Sequence, residues 1–557
     1  TSYSVQPQQT ESEEKLRFNW NSPIVVGANN KRNLYVGAQY LYKSTNQGKD
    51  WQKISPDLTT NDKTKQEQEK SGGMSADNTS AENHCTIFTI AESPLDENLI
   101  WVGTDDGNLQ YSSNGGKTWN NVTSNYAAAG IAAHSWVTSI EPSKFDRNTV
   151  YATWENHMYG DHHTYAARST DMGKTWTRFE SSEFNVYAHK IKEDNVNKDL
   201  LFLGTEMGIF ATLDGGKKWF RMKNNIPWKA MVRDIQIHPV TGDLIIATHG
   251  RGILIVDNIA AMRTMTSDMA SKEVYMFESA PINLTMGKYQ TGGTIAEGYS
   301  ANNTAQQAPI KYYFRDRLNT GDVTVEIYDK NGKLLQTMPG TKRKGINVVY
   351  WNMRTTPPKV AKGGAKPDFS GFTAPMVLPG EYTIKVKVAD KIYDQKMQLK
   401  AEERPDYTLA DREAQYNTAM KLFGMHEQLA ALVDDVSNKQ KSLKLMLDQM
   451  QDARSKKVVQ QYYDSLETLR GTLMGTKQVS FFADEERLRE KLSDLYTSVC
   501  YQEVRPSNLQ VERTKVLQAD IKKGEEKNAE LTKTFSDKVK AIQEKLPKTK
   551  VEINKNN

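Results

Sequence analysis

Ser112-Ser-Asn-Gly-Gly-Lys-Thr-Trp119 decides how this chain is read, because its pattern returns three times. The other copies are Ser44-Thr-Asn-Gln-Gly-Lys-Asp-Trp51, Ser169-Thr-Asp-Met-Gly-Lys-Thr-Trp176 and Thr212-Leu-Asp-Gly-Gly-Lys-Lys-Trp219. All fit Ser/Thr-x-Asp/Asn-x-Gly-x-x-Trp, and each lies between two apolar runs. Four matches in one region mark an internal repeat. The chemistry is that of a hairpin turn. Asn46, Asn114, Asp171 and Asp214 accept backbone N–H bonds across it. Gly48, Gly116, Gly173 and Gly216 supply a positive φ without steric cost. Trp51, Trp119, Trp176 and Trp219 return to cover an apolar edge. These residues are expected to build the repeat rather than to act on a ligand.

Further apolar strands lie upstream of each box. Thr86-Ile-Phe-Thr-Ile-Ala and Leu99-Ile-Trp-Val-Gly-Thr precede the second, and Ala188-His-Lys-Ile-Lys and Leu200-Leu-Phe-Leu-Gly-Thr the fourth. The phrase Gly103-Thr-Asp-Asp-Gly107 recurs as Gly204-Thr-Glu-Met-Gly208, and as Ala247-Thr-His-Gly250 in a fifth unit without a box. Four strands per unit at this spacing describe β-propeller blades. The predicted fold is therefore mainly β, with a partial or complete propeller carrying Asp-box repeats over 18–260. Alternating runs such as Val323-Thr-Val-Glu-Ile-Tyr predict an immunoglobulin-like β-sandwich over 272–402. From 406 to 548 apolar residues recur at spacings of three and four, as at Leu422, Met425, Leu429, Leu432 and Val436, which predicts a helical bundle. Residues 1–17 form an N-terminal extension and 549–557 a polar tail.

Composition narrows the function. The 73 basic and 68 acidic residues nearly balance, at a net charge of +5, which gives no electrostatic reason to expect nucleic acid or an anionic membrane. No stretch approaches the roughly 18 apolar residues of a transmembrane segment. Cys85 and Cys500 alone make no disulfide framework. Nine of the ten tryptophans and eight of the nine histidines fall within 18–260, so aromatic or imidazole chemistry is to be sought there.

The organisation resembles the Asp-box (BNR-repeat) superfamily. It is most similar to bacterial propeller proteins of the sortilin-like or glycosyl-hydrolase-like group. The phrases that carry the resemblance are Arg17-Phe-Asn-Trp-Asn-Ser-Pro23, Ser55-Pro-Asp-Leu58, Trp101-Val-Gly-Thr-Asp-Asp-Gly107, Val232-Arg-Asp-Ile235 and Thr248-His-Gly-Arg-Gly252. It implies a bacterial protein that is secreted, periplasmic or at the cell surface. Members of the group carry more repeats ahead of the Arg-Phe-Asn-Trp phrase. The five units are accordingly expected to be the C-terminal part of a larger ring, completed by an N-terminal portion or by a second chain.

Loops at strand ends hold the candidate chemistry. Asp105, Asp106, Glu206 and Asp234 follow Gly-Thr or Val-Arg, and a pair of carboxylates across a cleft can run glycoside hydrolysis. Their alternative role is to cap turns or to pair with Arg233 and Arg251. Trp154-Glu-Asn-His-Met-Tyr-Gly-Asp-His-His-Thr-Tyr165 reads as a long loop before a box, mixing aromatics with polar donors. Trp154, His157, Tyr159, Arg233, His249 and Arg251 are the ligand-binding candidates. His157, Asp161, His162 and His163 match no established zinc spacing, so no metal and no cofactor is expected. The leading expectation is a propeller that binds a glycan or polypeptide. The alternatives are a glycoside hydrolase with paired carboxylates, and a structural subunit that completes a propeller with another chain.

Overall fold

Among the described residues, apolar alternation in the first half of the chain produces five small antiparallel sheets, each a meander of neighbouring strands. The computed structural model describes residues 5–8, 14–70, 74–75, 81–132, 134–223, 225–227, 229–284, 307–363, 368–401, 405–476 and 486–545. The polar tail lies outside them, as does part of the N-terminal extension. Two compact units are present, Thr1–Ser271 and Lys272–Asn557.

In the first unit the sheets run Ile24–Lys53, Ile87–Asn121, Trp136–Arg178, Ala188–Arg221 and Met231–Val256. Every consecutive pair of sheets shares one core. Tyr35, Leu41, Ile87 and Ile100 join the first to the second, and Trp101, Val137, Ile140 and Trp176 join the second to the third. Tyr151, Ala188, Leu203 and Phe210 join the third to the fourth, and Phe202, Ile209, Val232 and Ile246 the fourth to the fifth. A sheet with two apolar faces, buried between its neighbours, is the packing logic of a propeller, and the unit is propeller-like. Close approach of the sheets explains a recurrent glycine. A Cβ on Gly37, Gly103 or Gly204 would stand 2.4–2.8 Å from the branched side chain of Ile87, Val137 or Val232 on the next sheet.

All four box turns share one hydrogen-bond pattern. The Ser or Thr hydroxyl donates to the Asn or Asp oxygen at 2.8–2.9 Å and accepts from the box glycine N–H at 2.8–3.0 Å. The same Asn or Asp oxygen accepts the N–H four residues on, at 2.9–3.0 Å. Two successive residues adopt positive φ, not one. Gln47 (66°), Gly115 (71°), Met172 (61°) and Gly215 (70°) precede the box glycines in that conformation. An L-residue there costs about 1 kcal/mol. Exposed Gln47, replaced by Gly, is therefore expected to raise stability by a few tenths to about 1 kcal/mol. Gly115→Ala should lower it by about 1 kcal/mol. Paired urea titrations read both, and effects of the opposite sign would refute the strain argument.

The fifth sheet departs from the four-strand expectation. It has three strands, Met231–Ile237, Leu244–His249 and Ile253–Val256. With no box turn and no box Trp, nothing folds the chain back into a fourth strand. The helix Ala260–Thr264 follows instead, and its Arg263 clamps the fully buried Asp194 carboxylate at 2.8–3.0 Å.

In the second unit two sheets face one another across a single core. One has three strands (Val274–Met276, Ala308–Phe314, Gly345–Trp351), and the other five. Ile310, Tyr312, Val325, Ile384 and Leu399 meet between them. Among the described residues four helices follow, Leu409–Gln449, Ala453–Leu473, Leu488–Tyr501 and Asn508–Gln543. Thr408 with Asp411, and Ser507 with Gln510, form capping boxes at the first and last, which satisfies two backbone N–H groups at each helix start. Leu422, Leu429, Leu466, Leu492, Tyr496 and Ile521 line the helical core.

Candidate functional site

At one end of each sheet in the first unit, the hairpin between second and third strands meets the start of the innermost strand. Register brings Thr104 opposite Ile87, Glu155 opposite Trp136, Thr205 opposite Ala188 and His249 opposite Met231. Every candidate carboxylate read from the sequence lies at or near this turn end, but their surroundings differ.

Asp105 is fully buried, and Asp106 is 3% exposed. Asp105 accepts from Thr86 N at 2.8 Å, Thr86 Oγ1 at 2.6 Å and Asn19 Nδ2 at 3.1 Å. Burial pushes its carboxyl above the usual range. Asp106 accepts from Thr60 N and Thr60 Oγ1 at 2.7 Å each, and from Thr104 Oγ1. Both tie loops and strands together and neither faces solvent, which corrects their reading as catalytic candidates. Asp234 is half-exposed and pairs with Lys190 at 3.1 Å.

Glu206 sits elsewhere, in a cluster around His189. His189, 4% exposed, opens the innermost strand Ala188–Glu193. Its Nε2 lies 2.9 Å from Glu206 Oε2, while Nδ1 lies 3.2 Å from Arg233 and 3.2 Å from Glu155 Oε2. Nε2 bonds Glu206, and Nδ1 stands equally close to Arg233 and Glu155, bonding one or the other according to where the ring proton sits. Glu155 Oε2 meets the same Nδ1, and Glu155 Oε1 lies 3.5 Å from His157 Nδ1. Trp154 Nε1 and Asn156 Oδ1 are buried without a hydrogen-bond partner, the first inside the core and the second at the turn end.

Aromatic rings border the cluster. Tyr187 stacks on His157 with centroids 4.8 Å apart and planes 13° from parallel, and meets His189 edge-on at 5.2 Å. Burial, then the Glu206 carboxylate, pushes the Tyr187 phenol up to about 12, so it is a neutral donor at neutral pH. Lys65 reaches the exposed Tyr159, donating to its hydroxyl at 2.9 Å.

Three sequence expectations change here. Residues 154–165 are not a long loop. They form the end of strand Val150–Asn156, a short turn closed by Gly160 at φ 74°, and the start of strand Asp161–Ser169. Trp154 is a core residue at 0% exposure, packed between Tyr126 and Trp176, so its ring cannot be a ligand platform. His163 is bound to Asp161 at 2.6 Å and His162 leans on Tyr187, so these side chains point to separate partners. Among the described residues no group of three or more His, Cys, Asp or Glu is placed to hold a metal ion. His249 and Arg251 are exposed at the tip of the fifth sheet's turn, apart from the bonds that hold the cluster. Sequence reasoning missed Glu155, Tyr187 and His189. The signal present was a histidine two positions before Ile191, and so on the buried face of the inner strand, in Ala188-His-Lys-Ile-Lys.

No family model matches the chain, and no curated protein does. Solved structures with a related outline are distant. An ancestral GH74 enzyme aligns at 13% identity and a TM-score of 0.31, over 68% of this chain and 46% of its own. The GH74 xyloglucanase of Xanthomonas campestris aligns at 16% and 0.32, over 42% and 36%. The extracellular domain of B. thetaiotaomicron BT3049 aligns at 12% and 0.31, over 71% and 46%. This chain thus spans less than half the length of each of these three structures, and their likeness is one of general outline.

Proposed function

We propose that this protein binds a glycan at the turn end of its first unit, at the cell envelope or outside the cell. Tyr187, His157 and Glu206 are the contact residues, and His189 holds Glu206 in place. The stacked Tyr187 and His157 rings beside the partly exposed Glu206 carboxylate carry this reading, since a flat aromatic surface next to a few polar groups suits a sugar ring. A sugar's hydroxyls both donate and accept, which suits a mixed set of this kind. Hydrolysis by this cluster has weaker support, because Glu155 and Glu206 flank an imidazole rather than an open gap for substrate and water.

The test is a glycan array followed by calorimetry and product analysis. The wild type is expected to bind a restricted glycan set and to release no shortened product. Tyr187→Ala should weaken binding at least about tenfold, the scale of one lost aromatic contact in a binding site. An array without hits, or a variant that binds like the wild type, would sink the reading.

A second reading has its own observation. Ile253 and Ile255, 69% and 60% exposed, lie on the last strand of the fifth sheet, while Ile24 and Val26, 66% and 50% exposed, lie on the first strand of the first. These are the faces on which another blade would pack, so the chain also suits a subunit that docks propeller blades of another chain. Co-purification with such a chain, abolished by Ile253→Lys with Ile255→Lys, is the expected outcome. A monomer at every concentration with no such partner would refute it.

A further inference from the structure

We infer that the glycan is an extended polysaccharide chain laid across four consecutive sheets, held on an arc of aromatic rings that runs from Trp20 through Trp136 to Tyr187. The inference rests on the glycan-binding reading and widens its site.

Each of the first four sheets enters its innermost strand beside an aromatic residue at the turn end. Those strands begin at Ile24, Ile87, Trp136 and Ala188. Trp20 comes just ahead of the first. His84 and Phe88 flank the start of the second, Trp136 opens the third, and Tyr187 immediately precedes the fourth. Trp20 is 69% exposed, while every other described tryptophan is buried or half-buried. His84, Phe88, Trp136 and Tyr187 are half-buried, which leaves part of each ring at the surface. A tryptophan held out in water forgoes a large apolar burial.

The Trp20 turn is nevertheless pinned. Asn19 Oδ1 accepts from Asn21 N at 3.1 Å, and Asn19 Nδ2 donates to the buried Asp105 at 3.1 Å. The other Asp105 oxygen lies 3.8 Å from His84 Nδ1, so one carboxylate positions both the Trp20 turn and His84. Trp136 meets His84 with centroids 6.2 Å apart and Phe88 edge-on at 5.3 Å. Across its own sheet Trp136 pairs with Glu155, and Glu155 lies 3.5 Å from His157, the ring on which Tyr187 stacks. A continuous line of contacts thus joins the Trp20 turn to Tyr187.

Repetition favours a polymer as the occupant. Facing sheets lie about 10 Å apart, so four of them spread the rings over on the order of 20–30 Å, more than a disaccharide covers. A polysaccharide repeats a flat C–H face along its length, which suits a row of rings with polar groups between them. A polypeptide offers no such repeat.

The test is an array of linear glucan, xylan, mannan, galactan and chitin oligosaccharides, each as di-, tetra- and hexasaccharide, followed by calorimetry on the full chain. In at least one series the hexasaccharide is expected to bind at least about tenfold more tightly than the disaccharide. Trp20→Ala should remove most of that gain and leave the disaccharide unchanged, whereas Tyr187→Ala should weaken both. Phe220→Ala, at a 39% exposed position on an outermost strand, should change neither. Equal affinity for the two lengths, or a Trp20→Ala variant that binds the hexasaccharide like the wild type, overturns the extended ligand. Hits confined to branched or terminal sugars on the broader glycan array also overturn it and leave glycan binding standing, while no hit on either array sinks both. Unfolded casein binding more tightly than every hexasaccharide overturns the sugar. Loss of self-association on Trp20→Ala, with hexasaccharide binding intact, would assign Trp20 to a contact between chains and overturn the arc.

Discussion

Asp105→Ala is expected to destabilise the first unit by about 3 kcal/mol, whereas Glu206→Ala should change its stability by less than about 1 kcal/mol. The carboxylates occupy equivalent hairpins, one after Gly103-Thr104 and the other after Gly204-Thr205, yet they do different work. Asp105 collects two bonds from Thr86, at 2.8 and 2.6 Å, and one from Asn19 at 3.1 Å, all with no exposure to solvent. Its removal strands a backbone N–H, a hydroxyl and an amide, each costing about 1–3 kcal/mol before water relaxes the site. Glu206 keeps 22% of its side chain in solvent, so water can replace its one strong partner, His189. Guanidinium unfolding followed by tryptophan fluorescence reads the first unit, where nine of the ten tryptophans lie. An Asp105→Ala midpoint equal to the wild type would show that Thr86 and Asn19 have other partners, and would return Asp105 to the list of free carboxylates.

The contrast shows what the sequence makes legible. Box turns are local, since their Ser/Thr, Asn/Asp and Gly bond within five residues, and so their geometry follows from spacing alone. Strand alternation is also local, and it located the five sheets. The site depends on partners far apart in the chain, as His189 meets Glu155 34 positions earlier and Arg233 44 positions later. No spacing rule links those three. Asp105 and Glu206 look alike in sequence because both follow Gly-Thr. They diverge because Thr86 and Asn19 cover the first, whereas the second meets a histidine at the head of its inner strand. Trp154 misled for a related reason. Its polar neighbours suggested a surface loop, but Trp154 keeps the inward phase of Val150 and Ala152, and the register with the following strand shifts only after it. The glycines of the Gly-Thr phrases are sites of close approach. What approaches is the next sheet's Val137 or Val232, not a ligand.

Mild acid is expected to weaken the second unit through His426, by up to about 3 kcal/mol between pH 6.5 and pH 4. His426 lies on the Leu409–Gln449 helix at 1% exposure, edge-on to Tyr496 at 5.1 Å, with Nε2 unpaired. Burial drives its imidazole down to about 4, and the Asp368 carboxylate opposes that only in part. Asp368 is itself engaged, its Oδ1 accepting from Ser370 N and Ser493 Oγ, each at 2.9 Å. The folded value is below the unfolded one of about 6.5, so the unfolded chain binds the proton first. The stabilising contribution is therefore complete above pH 6.5, falls as pH drops, and is lost by about pH 4. Carboxylates held low, such as Asp435 and Glu467, add their own losses only at the lower end of that window. His426→Leu keeps an apolar side chain of similar bulk and removes the titration, so its stability should stay nearly flat from pH 6.5 to 5. Chemical unfolding followed by helical circular dichroism isolates this unit, because the long helices among the described residues lie within it. Parallel pH curves for the wild type and His426→Leu would rule out His426 as the acid-sensitive group.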